Sequence, residues 1–257
     1  MTTKFKGLKR KRIKKFSLFF LLVFFIIFVL VVFNVADLFS SAITNKGSIL
    51  YGEKIRITNN IYYGVSLYNS TESSNAETNA KNIAKQGGAG YLYCMGDYYV
   101  LGSIYSSYED AIEVKEKLKS DNIEAKIINI NIPVININYK GKFLKENTDI
   151  FSCFSTLFNL LFDLSVEFDL GNITMQEVKK EVIKISADFS AKINDFDDIY
   201  KKEKYEFQKL ILENFNNLKL SIDSILTCNG VEFLLNSKLK NVCCEIVVSY
   251  YELAKVI

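Results

Sequence analysis

The apolar positions along the chain change period several times. Phe16 to Phe33, FSLFFLLVFFIIFVLVVF, is an unbroken uncharged block. Its length falls just under the roughly 20 residues of a membrane-spanning helix, and a span over 16–36 is expected. From Ile61 the pattern alternates. IYYGVSLYN reads as a strand. Ser73 to Lys85 then carries Ala76, Ala80, Ile83 and Ala84 at helical spacing, with Ser73 or Ser74 as its cap and Gly87-Gly88 as its stop. GYLYCM is a second strand, ending at a tight turn at Gly96-Asp97.

The unit then repeats. DYYVLGSIY is a third strand, Ser107 to Lys119 a second helix with Ala111, Val114 and Leu118 inward, and EAKIINI a fourth strand. Tyr62-Tyr63 matches Tyr98-Tyr99 and Ala89 matches Ala125 at an offset of 36, whereas Tyr68 and Tyr105 are 37 apart. One extra residue near Gly102-Ser103, as in a β-bulge, accounts for the difference. Two βαβ halves predict a ferredoxin-like βαββαβ module over 61–130 with both helices on one face.

Residues 131–147 read as an extended connector, where Pro133 disfavours a helix. From Thr148 onward the period is helical. IFSCFSTLFNLLFDLSVEFDLG is apolar but interrupted by Asn159, Asp163 and Glu167, which suits a bundle helix better than a second span. Thr174 and Glu177 form a capping box for the next helix. Residues 174–228 permit one long helix or two, and a break near Asp195–Lys202 gives helices of similar length. Asn229-Gly230 is a turn before a last helix, Val231–Ile257. The expected fold is α+β: an N-terminal transmembrane helix, the βαββαβ module, then an α-helical bundle over 148–257.

Charge sharpens the membrane reading. The chain carries +3 and its first 33 residues +8, which leaves −5 for the rest. The basic tail, 1–15, sets a cytoplasmic N-terminus and an extracytoplasmic C-terminus, with 37–60 as linker. A cleaved leader would carry a shorter apolar core of about 7–15 residues, although Ser40-Ser41-Ala42 loosely fits a cleavage site. The acidic folded part disfavours nucleic acid as a partner.

The segments YYGVSLYNS, NAETNAKNIAKQGGAGYLY and DYYVLGSIYSSYEDAIEVKEKLKSDNIEAKII resemble the SPOR domain, a bacterial peptidoglycan-binding repeat. Gly102, Ser106-Ser107, Ala111, Leu118-Lys119 and Ala125-Lys126-Ile127 carry the resemblance, while Gly64 and Ser66 depart from the usual end of the first strand. It covers Ile61 to Ile130, under a third of the chain. It implies a single-pass protein of the bacterial cell membrane that binds peptidoglycan glycan strands in division or sporulation. The alternative is a structural or interaction protein whose C-terminal bundle recruits an envelope partner, with the repeat as a spacer.

With both helices on one sheet face, alternation sends Tyr63, Val65, Leu67, Leu92, Cys94, Tyr99, Leu101 and Ile104 toward them. Tyr62, Ser66, Tyr91, Tyr93, Tyr98, Val100 and Lys126 are expected on the opposite, open face. Aromatic rings with a few hydrogen-bonding groups suit a sugar chain, so Tyr62, Ser66, Tyr93, Tyr98, Val100 and Lys126 are the candidate glycan site. Two other readings compete: in one, tyrosine simply favours strands, and in the other, the C-terminal bundle covers this face.

Other chemistry is thin. There is no histidine, the commonest general base, and no catalytic residue, metal ligand or cofactor is expected. NDFDD, Asn194 to Asp198, lacks the Gly and Glu of a calcium loop, and GGAG at Gly87–Gly90 lacks the ending of a phosphate loop. Five cysteines without a CxxC pair read as small buried hydrophobes, with a Cys153–Cys243 disulfide as the alternative.

Overall fold

The computed structural model describes residues 53–57, 60–139, 144–203, 206–228 and 230–257. The basic tail and the apolar run Phe16–Phe33, and with them the expected membrane span, lie outside the described residues. The described elements are β1 (Glu53–Ile57), β2 (Ile61–Ser70), α1 (Ser73–Lys85), β3 (Tyr91–Met95), β4 (Asp97–Tyr105), α2 (Tyr108–Ser120), β5 (Lys126–Asn131), β6 (Ile135–Tyr139), α3 (Leu144–Asp169), α4 (Met175–Glu203), α5 (Glu206–Ile225) and α6 (Glu232–Val256). The protein is α+β, with a four-stranded antiparallel sheet and a majority of helix.

The sheet order is β3-β4-β2-β5, the order produced when two βαβ halves interleave. Its helices stop in the same way. At the end of α1, Gly87 takes φ +86°, and the amides of Gly87 and Gly88 donate to the carbonyls of Ala84 and Ile83. At the end of α2, Asn122 (φ 62°) occupies the equivalent place, and the amides of Asn122 and Ile123 return to Lys119 and Leu118. Both ends are Schellman motifs built on a left-handed residue. At the start of α2, Ser107 caps by accepting from the Asp110 amide at 3.3 Å. The cap expected from Ser73 or Ser74 does not form: α1 begins at Ser73 itself, with Glu72 before it making no side-chain cap, and Ser73 Oγ donates to Glu77 Oε1 at 2.9 Å.

The bulge falls where the repeat offset placed it. Between the pairs Val65↔Ser103 and Ser66↔Leu101 the register skips Gly102, and between Ser66↔Leu101 and Tyr68↔Val100 it skips Leu67. A Cβ on residue 102 would stand 2.6 Å from the Leu67 side chain, so any larger residue at the bulge would force Leu67 to shift.

The turn from β3 to β4 fixes which residues share a face. Met95 pairs with Asp97 around the single residue Gly96 (φ +83°). Directly paired residues project to the same face, so Cys94 lies with Tyr98, Leu92 with Val100, and Tyr93 with Tyr99. Val100 joins Ala76, Ala80 and Ile83 of α1 in a buried cluster, with Leu67, Leu92 and Tyr98 packed against it. The expectation that Tyr98 and Val100 face away from the helices, with Tyr99 and Leu101 toward them, is therefore corrected: the phase at the start of β4 is the reverse.

In the bundle, α3 presents Phe151, Phe154, Phe158 and Leu161 to the interior. It is long and apolar enough to cross a membrane by composition, yet these side chains are 0–2 % exposed. Thr174 and Glu177 form the expected capping box, with the Thr174 amide donating to Glu177 Oε2 at 2.8 Å and the Glu177 amide to Thr174 Oγ1 at 3.3 Å. These bonds hold the Glu177 carboxyl below its usual range. Helices α4 and α5 are separate. The chain folds back between them, so that Ser186 donates to Asp223 at 2.5 Å and Phe189 meets Phe215 edge to face at 5.1 Å. Helix α4 continues through the expected break near Asp195–Lys202 to Glu203, and it is the longer of the two, at 29 residues against 20.

Between sheet and bundle the connector is not featureless. Ile132 and Ile135 are each 1 % exposed, and β6 pairs with β1 in a second, two-stranded sheet. Strand β1 falls within the stretch expected as linker.

Candidate functional site

The sheet face opposite α1 and α2 is covered. Helices α3 and α6 lie on it, and the tyrosines of the face form the seam. Tyr62 is 4 % exposed and sets its ring edge to face against Phe158, centroids 5.0 Å apart. Tyr105 meets Phe162 in the same way at 5.5 Å. Tyr93 is also 4 % exposed; its hydroxyl donates to Met95 Sδ at 3.9 Å, with Tyr251 and Glu252 of α6 nearby. Tyr91, two residues earlier on the same face, lies near Cys244 and Glu245.

Burial governs the electrostatics here. Loss of water pushes the Tyr62 hydroxyl up to about 12, reinforced by Tyr250 and opposed by a bond to Asn60. Burial, with Tyr251 and Glu252 nearby, pushes Tyr93 up to about 12 as well. Tyr91 is raised for the same first cause. These phenols stay neutral and serve as buried apolar bodies.

A polar latch borders the seam. Lys240 of α6 donates to the Gly87 carbonyl at 3.2 Å and pairs with Asp169 of α3 at 2.8 Å. Asn241 donates to the Ala89 carbonyl at 2.9 Å. Asn236 accepts from Ser165 at 3.0 Å and donates to Asp169. The glycine-rich stretch after α1 thus serves as an anchor for α6 through its carbonyls.

The six candidate glycan residues consequently divide. Tyr62, Ser66 and Tyr93 lie on the bundle side. Ser66, 3 % exposed, donates internally to the Tyr68 carbonyl at 2.9 Å. Tyr98 and Val100 lie on the α1 side, with Val100 wholly buried. Lys126 is open to solvent and donates to Asn69 at 3.2 Å. The open aromatic platform expected over this face is corrected: bundle aromatics occupy the place where sugar rings would stack. Phe158, Phe162, Tyr251, Lys240 and Asn241 form the cover, and the sequence signal for it was the run of phenylalanines along α3, at 151, 154, 158 and 162.

All five cysteines are free thiols, and Cys153, Cys243 and Cys244 are buried. Burial raises Cys243 and Cys244 far above the ordinary thiol range, so neither is a poised nucleophile. Among the described residues no three His, Cys, Asp or Glu side chains converge on a common metal position. No protein-family model matches the sequence, and no curated protein or solved structure matches it.

Proposed function

We propose that this chain is a membrane-anchored, non-enzymatic protein of the bacterial cell envelope that acts as a structural or interaction module. In this reading the βαββαβ sheet is the base on which the C-terminal bundle docks, and the docked whole meets an envelope partner. The supporting observation is the covered sheet face: Tyr62 and Tyr93, each 4 % exposed, already spend their rings on Phe158 and α6. The membrane anchor and its orientation rest on the cation cluster and apolar run of the first 33 residues.

A second reading keeps the glycan. The βαββαβ order and the SPOR resemblance favour peptidoglycan binding in division or sporulation, but along the sheet face this requires the bundle to leave. Sedimentation of the intact chain, in detergent, with purified cell-wall sacculi separates the two. The first reading expects the chain to stay in the supernatant. Retention on sacculi that glycan fragments compete away would overturn it in favour of the second.

A further inference from the structure

Exposed apolar residues gather at one end of the fold. The sheet defines that end. Strand β2 starts there, with Ile61 opposite Asn131, the last residue of β5, and β4 finishes there, with Tyr105 opposite Tyr63. The turn after α1 reaches the same end, because the Ala89 amide donates to the Gly102 carbonyl close to the finish of β4. Phe233, in the first turn of α6, lies over that turn, its Cβ 3.9 Å from where a Cβ on Gly87 would stand. The last turn of α3 meets α6 here, since Asp169 is held by Lys240 and Asn236, and Leu170 is the next residue. Leu170 and Phe233 are 66 % and 46 % exposed, and Leu234, Tyr108 and Ile61 are exposed with them. Tyr108 rests its ring on Tyr63 at 5.2 Å.

A single exposed apolar side chain is ordinary, but a group of them at one end marks a contact surface. The course of the chain says what it meets. The chain enters the four-stranded sheet at this end, at Ile61, and residues 34–60 join Ile61 to the apolar run Phe16–Phe33. Even fully extended, that joint keeps Ile61 within roughly 90–100 Å of the run, so a bilayer holding the run is present at high local concentration. The residue types suit the boundary of a bilayer. Leucine, isoleucine and phenylalanine take acyl chains, and tyrosine offers an apolar ring with a polar tip. The exposed charges alongside are of both signs, Lys85 and Glu232 among them, so apolar contact is the attraction.

We propose that this end of the fold rests on a lipid bilayer, with Leu170 and Phe233 among the acyl chains at its surface and Leu234, Tyr108 and Ile61 at the rim of the contact. The proposal rests on the membrane-anchor reading and adds which surface of the folded part the anchor brings down. Val256, at the far end of α6, is as bare, at 68 % exposed. It lies about 35 Å from Phe233 along the helix and stays in water.

The chain contains no tryptophan, so an indole introduced at one position reports on that position alone. The full chain carrying Leu170→Trp, Phe233→Trp, Tyr108→Trp or Val256→Trp is reconstituted in phosphatidylcholine vesicles with plain or brominated acyl chains. The indoles at 170 and 233 are expected to emit to the blue of water and to lose roughly half their intensity or more in brominated lipid, an interfacial apolar face lying roughly 5–10 Å deep. The indole at 256 should emit as in water and be indifferent to bromine. Circular dichroism checks folding, and Tyr108→Trp, expected to shift to the blue, decides the matter if either of the first two does not fold. Flotation separates the two readings. A chain that floats with the vesicles while its indoles at 170 and 233 behave like the one at 256 overturns this proposal and leaves the anchor. A chain that does not float overturns both. Blue-shifted indoles indifferent to bromine would put a protein surface against this end and would equally overturn the proposal.

Discussion

Tyr62 of β2 and Phe158 of α3 meet edge to face, with centroids 5.0 Å apart and ring planes at 71°. That contact joins the sheet to the bundle in one core. An aromatic pair of this geometry is worth about 0.5–1.5 kcal/mol beyond its buried area. A ring cannot both fill that contact and offer its face to a sugar, so the character of Tyr62 decides between the two readings of the sheet.

Tyr62→Ala is accordingly expected to destabilise the protein by about 3–5 kcal/mol, the cost of truncating a buried aromatic. Phe158→Ala should do the same, and the double variant should cost less than the two together because they lose one shared contact. Denaturant unfolding of the full chain in detergent measures all three. Near-neutral Tyr62→Ala, within about 0.5 kcal/mol of the parent as at exposed sites, would mean that the bundle does not rest on this face.

Val100 tests the phase of β4. It is 0 % exposed among Ala76, Ala80 and Ile83, so Val100→Thr places a hydroxyl in an apolar cluster at nearly constant volume. The expected cost is about 1–3 kcal/mol. A stability unchanged by Val100→Thr would put residue 100 in water and reverse the assignment of faces.

Much of this architecture was legible in the sequence because the signals were local. The offset between Tyr68 and Tyr105 located the bulge at Gly102, and Thr174 with Glu177 announced the start of α4. The phase of β4 was legible too, but only through turn length. A single residue, Gly96, between Met95 and Asp97 forces Tyr98 onto the face of Cys94, whereas treating each strand by its own alternation loses that constraint. The covering of the sheet was not legible, because no pattern within α3 says which surface its phenylalanines meet. Contacts such as Tyr62–Phe158 are set by how whole elements pack, and here a connector with two buried isoleucines separates them. The expected membrane span lies outside the described residues, and its support is the sequence pattern alone.

The latch between α3 and α6 gives a further prediction. Asn236 is 7 % exposed and links Ser165 to Asp169. Asn236→Ala strands the Ser165 hydroxyl in a buried place and should cost about 1–3 kcal/mol. Adding Ser165→Ala should recover part of that loss by removing the unpaired group. Failure of the second substitution to recover any stability would show that the two residues do not act as a pair.

The capping box predicts an acid-sensitive step. Glu177 is held below its usual pKa by the Thr174 amide and hydroxyl. A carboxyl depressed in the folded state contributes stability above its unfolded value, 4.5, and loses it as pH falls through the lower, folded one. Parent and Glu177→Gln should therefore differ at neutral pH and converge below pH 4.5. A gap between their melting temperatures that stays constant on acidification would remove Glu177 from the cap. Thr174→Ala, which deletes the other half of the box, should cost about 1 kcal/mol at neutral pH.

The buried tyrosines predict a step at the alkaline end. Tyr62 and Tyr93 both have folded values near 12 against an ordinary 10.0, with burial as the first cause. A group raised in the folded state contributes stability that is complete below its unfolded value and lost as pH climbs to the folded one. The bundle should therefore loosen from the sheet between about pH 10 and 12, because the unfolded chain releases these protons first. Tyr62→Phe and Tyr93→Phe keep the rings and remove two of the raised ionisations, so the denaturant midpoint of the double variant should fall less across that window than that of the parent, the remainder coming from Tyr91, Tyr105 and Tyr250. Near-ultraviolet absorbance of tyrosinate provides the second readout. The parent should show a group of late-ionising phenols that includes Tyr62, Tyr91 and Tyr93, and the double variant should show two fewer. If all the phenols of the parent ionise together near pH 10 while near-ultraviolet circular dichroism still reports native packing, water reaches the Tyr62 and Tyr93 hydroxyls. The sheet face would then be open, as a glycan platform needs.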